Sequence, residues 1–260
     1  MTWKTRQRSD FGSLAAITAG QGPLVLLLHG VGLRAEAWGP QIDALASAGF
    51  RVVAPDMLGH GESDLAPADA TLADYVAPIA ALVDQPAVVI GHSMGAMLAL
   101  ELAAGQPETI RGVVAMNAIF RRSDAAQRAV QTRAADLDGA TFPDPSGPLD
   151  RWFGDAPSTA RAACHDWLTS VTPVGYKAAY TVFAHSDGPS DLTLQALSCP
   201  ALFVTGADEP NSTPEMSQNM AERVENGRAM IVSDAAHMVP MTHSDTVNAQ
   251  LVRFAKECLT

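Results

Sequence analysis

The stretch AVVIGHSMGAMLALELAA, residues 87–104, decides the fold of this chain. Its first four residues are apolar and mostly β-branched, which favours a short buried strand, and residues 94–104 favour a helix. Between strand and helix stands the pattern Gly-x-Ser-x-Gly, residues 91–95, called the elbow below. A turn this tight has no room for side chains at its glycine positions. It therefore holds the Ser93 hydroxyl above the sheet, with the helix N-terminus behind it.

Strands and helices alternate on both sides of the elbow. Further strands are predicted by the apolar runs at residues 24–28, 51–54, 113–116, 201–205 and 229–232. Helical patterns separate these runs, which indicates βαβ units and a mostly parallel central sheet flanked by helices. Residues 13–18 are expected to add an edge strand. The fold class is therefore α/β.

This alternation stops between residues 118 and 197. Strand patterns are missing there, and six prolines, Pro143 among them, divide the segment into short helical pieces. The sequence thus predicts a core made of residues 1–117 and 198–260, interrupted by an all-helical cap at residues 118–197.

Composition limits the classes of partner. The chain has 260 residues, 47% of them hydrophobic, and a formal net charge of −11. The negative charge disfavours nucleic acid and anionic membrane surfaces, which leaves a small molecule as the expected partner of a monomer or small homo-oligomer. Three scattered cysteines and the lack of a long apolar run lead us to expect a cytoplasmic protein.

Acidic and basic side chains follow the later strands. A serine hydroxyl becomes a nucleophile only beside a base, and the base needs a carboxylate to orient it. Asp208 follows the strand at 201–205, and His237 follows the strand at 229–232, so both are expected at the same edge of the sheet as Ser93. Glu209 and Asp234 compete with Asp208 for the role of the acid.

A third requirement is a pair of backbone N–H groups that receive the developing negative charge. Met94, directly after Ser93, supplies one, and Val31, in the loop after the strand at 24–28, is the natural second. Two other histidines are alternatives for the base. His243 begins the final helix, further from the strand end, and His29 is interpreted as a structural histidine that pins its loop.

Four motifs in order resemble the α/β-hydrolase family. They are HGVG at 29–32, DMLGHGES at 56–63, GHSMG at 91–95, and GAD at 206–208 followed by His237. The resemblance covers roughly residues 20–117 and 198–258. It implies the α/β-hydrolase fold with an inserted helical cap, Ser93 as nucleophile, Asp208 as acid, His237 as base, and Val31 and Met94 as oxyanion donors. The mechanism requires neither a metal nor an organic cofactor.

Within that family the chain resembles small bacterial carboxylesterases, enol-lactonases, carbon–carbon bond hydrolases and cofactor-free haloperoxidases. The expected activity is a serine esterase or lactonase acting on small to medium carboxylic esters. A carbon–carbon bond hydrolase, an acyltransferase, a perhydrolase and a non-catalytic small-molecule receptor remain alternatives. Expected substrate contacts are Leu33 and Trp38 in the loop that follows Val31, Met238 beside His237, and Arg121 after the strand at 113–116.

Overall fold

The structure, a computed structural model, describes residues 3–142 and 144–260. Pro143, one of the predicted helix breakers, and the first two residues of the predicted core lie outside the described residues. One sheet of eight strands forms the centre of the molecule. Its strands are β1 (Ser9–Phe11), β2 (Leu14–Ala19), β3 (Leu24–Leu28), β4 (Arg51–Pro55), β5 (Ala87–His92), β6 (Ile110–Met116), β7 (Ala201–Gly206) and β8 (Gly227–Val232).

The strand order is β1-β2-β4-β3-β5-β6-β7-β8. From β4 to β8 every neighbouring pair is parallel, while β2 is antiparallel to both β1 and β4. The predicted edge strand at residues 13–18 exists as β2, but it is not at the edge. Since β1 is only three residues long and all three are exposed, no apolar pattern marks it in the sequence.

Apolar residues on the strands pack into two core layers, one on each face of the sheet. All five residues of β3 are buried, and successive side chains alternate between the layers. Leu24, Leu26 and Leu28 pack on the face covered by α2 (Leu72–Ala80) and α3 (Met94–Gly105). Val25 and Leu27 pack on the face covered by α1 (Gly39–Ser47) and α11 (Ser244–Leu259). This two-sided burial is what continuous apolar runs in parallel strands indicate.

Helices fill the connections between the strands. A 3₁₀ helix spans Ala35–Trp38, and the α-helices are α1 (Gly39–Ser47), α2 (Leu72–Ala80), α3 (Met94–Gly105), α4 (Asp124–Asp136), α5 (Ser146–Phe153), α6 (Thr159–Ser170), α7 (Pro173–His185), α8 (Asp191–Gln195), α9 (Pro214–Ala221), α10 (Val239–Thr242) and α11 (Ser244–Leu259). Within the described residues, no helix combines the length and the apolarity that crossing a bilayer requires.

The helices α4–α8 all lie between β6 and β7, inside the interval where the sequence predicts a cap. The last of them, α8, packs on α3, and its Leu194 is buried in the same apolar cluster as residues of the sheet. The division of the chain into a core and a separate cap stays a prediction. What the topology establishes is that α4–α7 follow the carboxyl end of β6, at the edge of the sheet where the elbow lies.

Candidate active site

The elbow joins β5 to α3, and its backbone is strained at one residue. Ser93 has φ = 56° and ψ = −120°, a conformation that side chains other than glycine rarely adopt. A Cβ at Gly91 would lie 2.0 Å from the carbonyl oxygen of Gly95, and one at Gly95 would lie 2.1 Å from the carbonyl oxygen of Leu28. Both glycines are therefore required by close backbone contacts, as the sequence predicts. The Ser93 N–H donates to the carbonyl of Met116, which ties the elbow to β6.

His237 has a carboxylate partner, but it is Glu209 and not Asp208. The distance between His237 Nδ1 and Glu209 Oε2 is 3.0 Å. The prediction that Asp208 orients the histidine is wrong, because the loop after β7 turns the Asp208 side chain towards solvent and the next side chain inwards. The other competitor, Asp234, is exposed, and His243 bonds the hydroxyl of Thr242 instead.

The environment of Glu209 keeps its carboxylate charged. Its side chain is completely buried, and burial alone would raise its pKa. The nearby His237 and two backbone N–H donors, those of Asn211 at 2.7 Å and Ser212 at 3.1 Å, outweigh burial and lower the pKa from 4.5 to about 2. In a neutral imidazole, a charged acceptor at Nδ1 favours the tautomer that carries its proton on Nδ1, and Nε2 is then the acceptor.

Ser93 and His237 line one cavity. Within the described residues no hydrogen bond joins the Ser93 hydroxyl to the His237 ring, and Nε2 of that ring has no other partner. Contacts of this kind are often long in proteins without substrate and tighten when it binds. The roles of Ser93 as nucleophile and His237 as base stay predictions, and the structure brings the two side chains to the same place.

Two backbone amides are placed to receive a negative charge. Met94 is the first residue of α3, so its N–H has no acceptor within the helix. Val31, in the loop after β3, lines the cavity beside Ser93. Across residues 3–142 and 144–260, neither N–H donates a hydrogen bond to another group. Their use as an oxyanion hole remains a prediction.

Buried histidines pin the loop that carries Val31. Nδ1 of His29 donates to the carbonyl of Gly30 at 2.8 Å, and Nε2 accepts from the N–H of Met57 at 2.9 Å. The interpretation of His29 as a structural histidine is confirmed by these bonds. His60 contributes in the same way, since its Nε2 accepts from the N–H of Gly32 at 2.9 Å, and burial lowers the pKa of His60 to about 3. Neutral imidazoles thus hold together the loop after β3 and the loop after β4, which carries Met57 and His60.

Sequence reasoning missed a buried ionic cluster under the same loop. The guanidinium of Arg8 contacts Glu36 at 2.5 Å and Asp56 at 3.0 Å, and all three side chains are almost fully buried. Asp56 also accepts from the N–H of Ala35 at 2.8 Å. Burial alone would raise the pKa of both carboxyls, but bonding to Arg8 contributes to lowering them. Nothing in the sequence marks Arg8, which lies far from its partners in the chain.

His92, inside the elbow, was also missed. Its Nε2 donates to the backbone carbonyl of His237 at 2.8 Å, and the two rings have centroids 4.9 Å apart. Burial lowers the pKa of His92 to about 3, so the ring is a neutral donor. The loop that carries His237 is therefore held twice, by Glu209 at the side chain and by His92 at the backbone.

The cavity above Ser93 has a volume of about 480 Å³. Its floor belongs to the loops after β3, β5 and β8, and its walls belong mainly to α4, α5 and α7. Aromatic side chains from α5 and α7 form part of the wall, namely Trp152, Tyr176, Tyr180 and Phe183. The helices inserted after β6 therefore shape the space that a substrate would occupy.

None of the four expected substrate contacts lines this cavity. Leu33 and Met238 are almost fully buried in one apolar cluster, and Trp38 is buried against the sheet. Arg121 points to solvent, where it pairs with Asp191 at 2.6 Å. These four predictions are wrong because closeness in sequence to a site residue does not settle which way a side chain points.

Three arginines line the cavity instead, Arg122, Arg133 and Arg151. Arg122 is almost fully buried, donates to the carbonyl oxygens of Ser186 and Phe183 at the end of α7, and lies 3.8 Å from the carboxylate of Asp187. Burial lowers its pKa to about 10. Arg133 and Arg151 are exposed and have no carboxylate partner in the described part of the chain. Among the described lining residues Glu215 is the one carboxylate, so cationic side chains outnumber anionic ones in the cavity wall. Within the described residues no cluster of three or more His, Cys, Asp or Glu side chains is arranged to hold a metal ion.

Known proteins that are similar to this chain identify its family. The sequence model of the Alpha/beta hydrolase family matches residues 25–250. An (E)-2-((N-methylformamido)methylene)succinate hydrolase of Acinetobacter baylyi is 37% identical over 259 residues, which cover 95% of this chain and 96% of the relative.

Two solved structures are similar over nearly their whole length. A thermophilic esterase of Thermogutta terrifontis superimposes with a TM-score of 0.84 at 27% identity, covering 95% of this chain and 94% of the esterase. An enol-lactonase of Burkholderia xenovorans superimposes with a TM-score of 0.82 at 23% identity, covering 94% of this chain and 96% of the lactonase, and this second likeness shows the fold alone. The chain belongs to the α/β-hydrolase family and is a hydrolase of that type.

Proposed function

We propose that this protein is a serine hydrolase that transfers the acyl group of a small, carboxylate-bearing substrate first to Ser93 and then to water. The observation that carries the proposal is that Ser93 and the Glu209-bound His237 line one cavity. Two unbonded backbone amides, those of Val31 and Met94, lie at the same place and complete the set of groups that acyl transfer requires.

The residues have separate roles in this mechanism. Nε2 of His237 takes the Ser93 proton as Oγ attacks the substrate carbonyl, and Glu209 stabilises the imidazolium that results. The amides of Val31 and Met94 donate to the oxyanion, for which each such donor contributes roughly 2.7–4 kcal/mol in comparable enzymes. His237 then gives its proton to the leaving group, and a water molecule releases the acyl group by the same route.

The substrate class follows from the cavity wall. Arg133 and Arg151 have cationic heads without an acidic partner, and guanidinium groups bind carboxylates with paired hydrogen bonds. The Acinetobacter relative is named for a substituted succinate, a compound with two carboxylates. This supports a succinate-like acid as the substrate, with the cleaved bond an ester or an N-acyl bond attached to it.

The serine mechanism is tested with p-nitrophenyl acetate and the variant S93A. We expect turnover by the unaltered protein and loss of at least about a thousandfold in kcat for S93A, since the nucleophile and its proton transfer are both removed. Unaltered protein no faster than S93A would refute the hydrolase mechanism and favour the receptor alternative. Covalent labelling by a fluorophosphonate at residue 93, detected by mass spectrometry, reports the same step independently.

The substrate class is tested by comparing mono-p-nitrophenyl succinate with p-nitrophenyl butyrate, which has a similar acyl length and no carboxylate. We expect R133Q and R151Q each to raise KM for the succinate ester about tenfold, or about 1.4 kcal/mol, and to leave the butyrate constants unchanged. R121Q is the matched control, because Arg121 lies outside the cavity. Equal effects of R133Q and R151Q on both esters would contradict a carboxylate subsite.

A further inference from the structure

One aromatic side chain of the cavity wall lies against the predicted base. The ring centroids of Trp152 and His237 are 5.6 Å apart, and their planes meet at 21°, so the indole and the imidazole are stacked. The two residues are far apart in the chain, and no sequence motif connects them. Since Glu209 approaches the imidazole in the ring plane at Nδ1, the indole covers a face of the ring that carries no hydrogen bond.

The helix that carries Trp152 is anchored on both sides. Leu149 of α5 is 1% exposed and packs in an apolar cluster with Met238 and Met241, which follow His237 in the chain. Asp150 of α5 pairs with Arg161 of α6 at 2.5 Å. The stack is therefore supported by packing of α5 in the apolar cluster that includes the segment after the base.

We propose that Trp152 is a positioning residue that stabilises the charged form of His237 during the reaction proposed above. An aromatic face attracts a cation that lies within about 6 Å of its centroid. The attraction acts on the imidazolium formed when His237 takes the Ser93 proton, and hardly at all on the neutral ring. Because it appears only as the charge develops, it lowers the barrier and leaves ground-state binding of the substrate unchanged.

Kinetics separate this role from that of a substrate wall. For W152L we expect kcat to fall about tenfold, equivalent to about 1.4 kcal/mol, on both p-nitrophenyl acetate and mono-p-nitrophenyl succinate, with KM unchanged. W152F keeps an aromatic face and should recover most of kcat. W167F is the matched control, since Trp167 lies on α6 against Trp3, outside this cavity.

A spectroscopic measurement reports the contact itself. A small boronic acid such as butylboronic acid forms a bond from boron to the serine oxygen, and the hydroxyl proton passes to the imidazole. The resulting imidazolium quenches an indole stacked on it. We expect quenching of tryptophan fluorescence in the unaltered protein and none in W152F or S93A. Melting temperatures of all variants verify that they are folded.

The outcomes distinguish this inference from the function on which it rests. S93A as active as the unaltered protein would overturn the serine mechanism. Ser93-dependent turnover combined with an unchanged kcat in W152L would overturn only the role of Trp152. A higher KM without a lower kcat would identify Trp152 as a substrate wall, and boronate quenching that persists in W152F would show that the stack is not its source.

Discussion

Replacing Glu209 by glutamine tests the corrected assignment of the acid. Oε1 of Glu209 accepts two backbone N–H groups, those of Asn211 and Ser212, and Oε2 faces Nδ1 of His237. In E209Q the amide oxygen must take the position of Oε1, because an NH₂ group there would face two donors. The NH₂ group then points at Nδ1, which must become an acceptor, and the proton moves to Nε2.

That tautomer cannot accept the Ser93 proton. The same tautomer error in a comparable triad lowers kcat by about 10⁴, or about 5.5 kcal/mol, and we expect a loss of this order for E209Q. The neighbouring D208N removes an exposed carboxylate with no side-chain partner in the described residues. In the part of the chain that the structure describes, Asp208 contacts none of the groups assigned to the reaction, and exposed substitutions of this kind change folding stability by about 0.5 kcal/mol at most, so D208N should keep kcat within about twofold.

The assay is steady-state hydrolysis of p-nitrophenyl acetate at saturation, with the unaltered protein, E209Q and D208N measured side by side. Thermal unfolding of each variant confirms that the comparison is between folded proteins. A larger loss from D208N than from E209Q would refute the assignment. So would an E209Q variant that keeps more than about a tenth of the kcat, because the wrong tautomer cannot support that rate.

Three further predictions concern stability, and each is tested by measuring the free energy of unfolding in denaturant. The pKa of Glu209 is about 2 in the folded protein and 4.5 in its ordinary state. Its carboxylate therefore stabilises the fold above pH 4.5, and this contribution is lost as the pH falls towards 2. The difference in unfolding free energy between the unaltered protein and E209Q should shrink over that range of pH. G91A forces a Cβ into a backbone carbonyl and should cost more than about 2 kcal/mol, whereas G105A, with open space around it, should cost nothing. R8Q leaves the buried Asp56 without its cation and leaves the buried Glu36 with Arg34 alone, and should cost about 3–5 kcal/mol, while R6Q, which breaks an exposed pair, should cost less than about 1 kcal/mol.

The sequence was sufficient for the parts of the molecule that are determined locally. The elbow could be predicted because both of its glycines and Ser93 lie within five residues of sequence, and the apolar runs on either side fix a buried strand and a helix. The parallel sheet followed from the alternation of such runs. The position of His237 followed from the end of β8, because the carboxyl ends of parallel strands meet at one edge.

The choice between Asp208 and Glu209 could not be made in this way. The two carboxylates are adjacent, and the loop after β7 points consecutive side chains in opposite directions. That direction depends on contacts made later in the chain, since the Asp208 N–H donates to the carbonyl of Ala235, and the N–H groups of Asn211 and Ser212 capture the Glu209 carboxylate. The contact with Ala235 comes from a distant part of the chain, so the local sequence around residues 208–212 does not contain it.

The net charge of the chain does not predict the charge of the side chains that line its cavity. The expectation that phosphate backbones and anionic lipid surfaces are disfavoured rests on a net charge of −11, and such partners respond to the field of the whole molecule. A small anion in a cavity responds to the groups that line it. These include Arg133 on α4, Arg151 on α5 and Arg122 in the segment before α4, which lies 3.8 Å from Asp187, against Glu215. An acidic protein can therefore present a cationic site. The sequence predicted where the reaction should occur, and the packing of α4, α5 and α7 determines the charge that a substrate meets there.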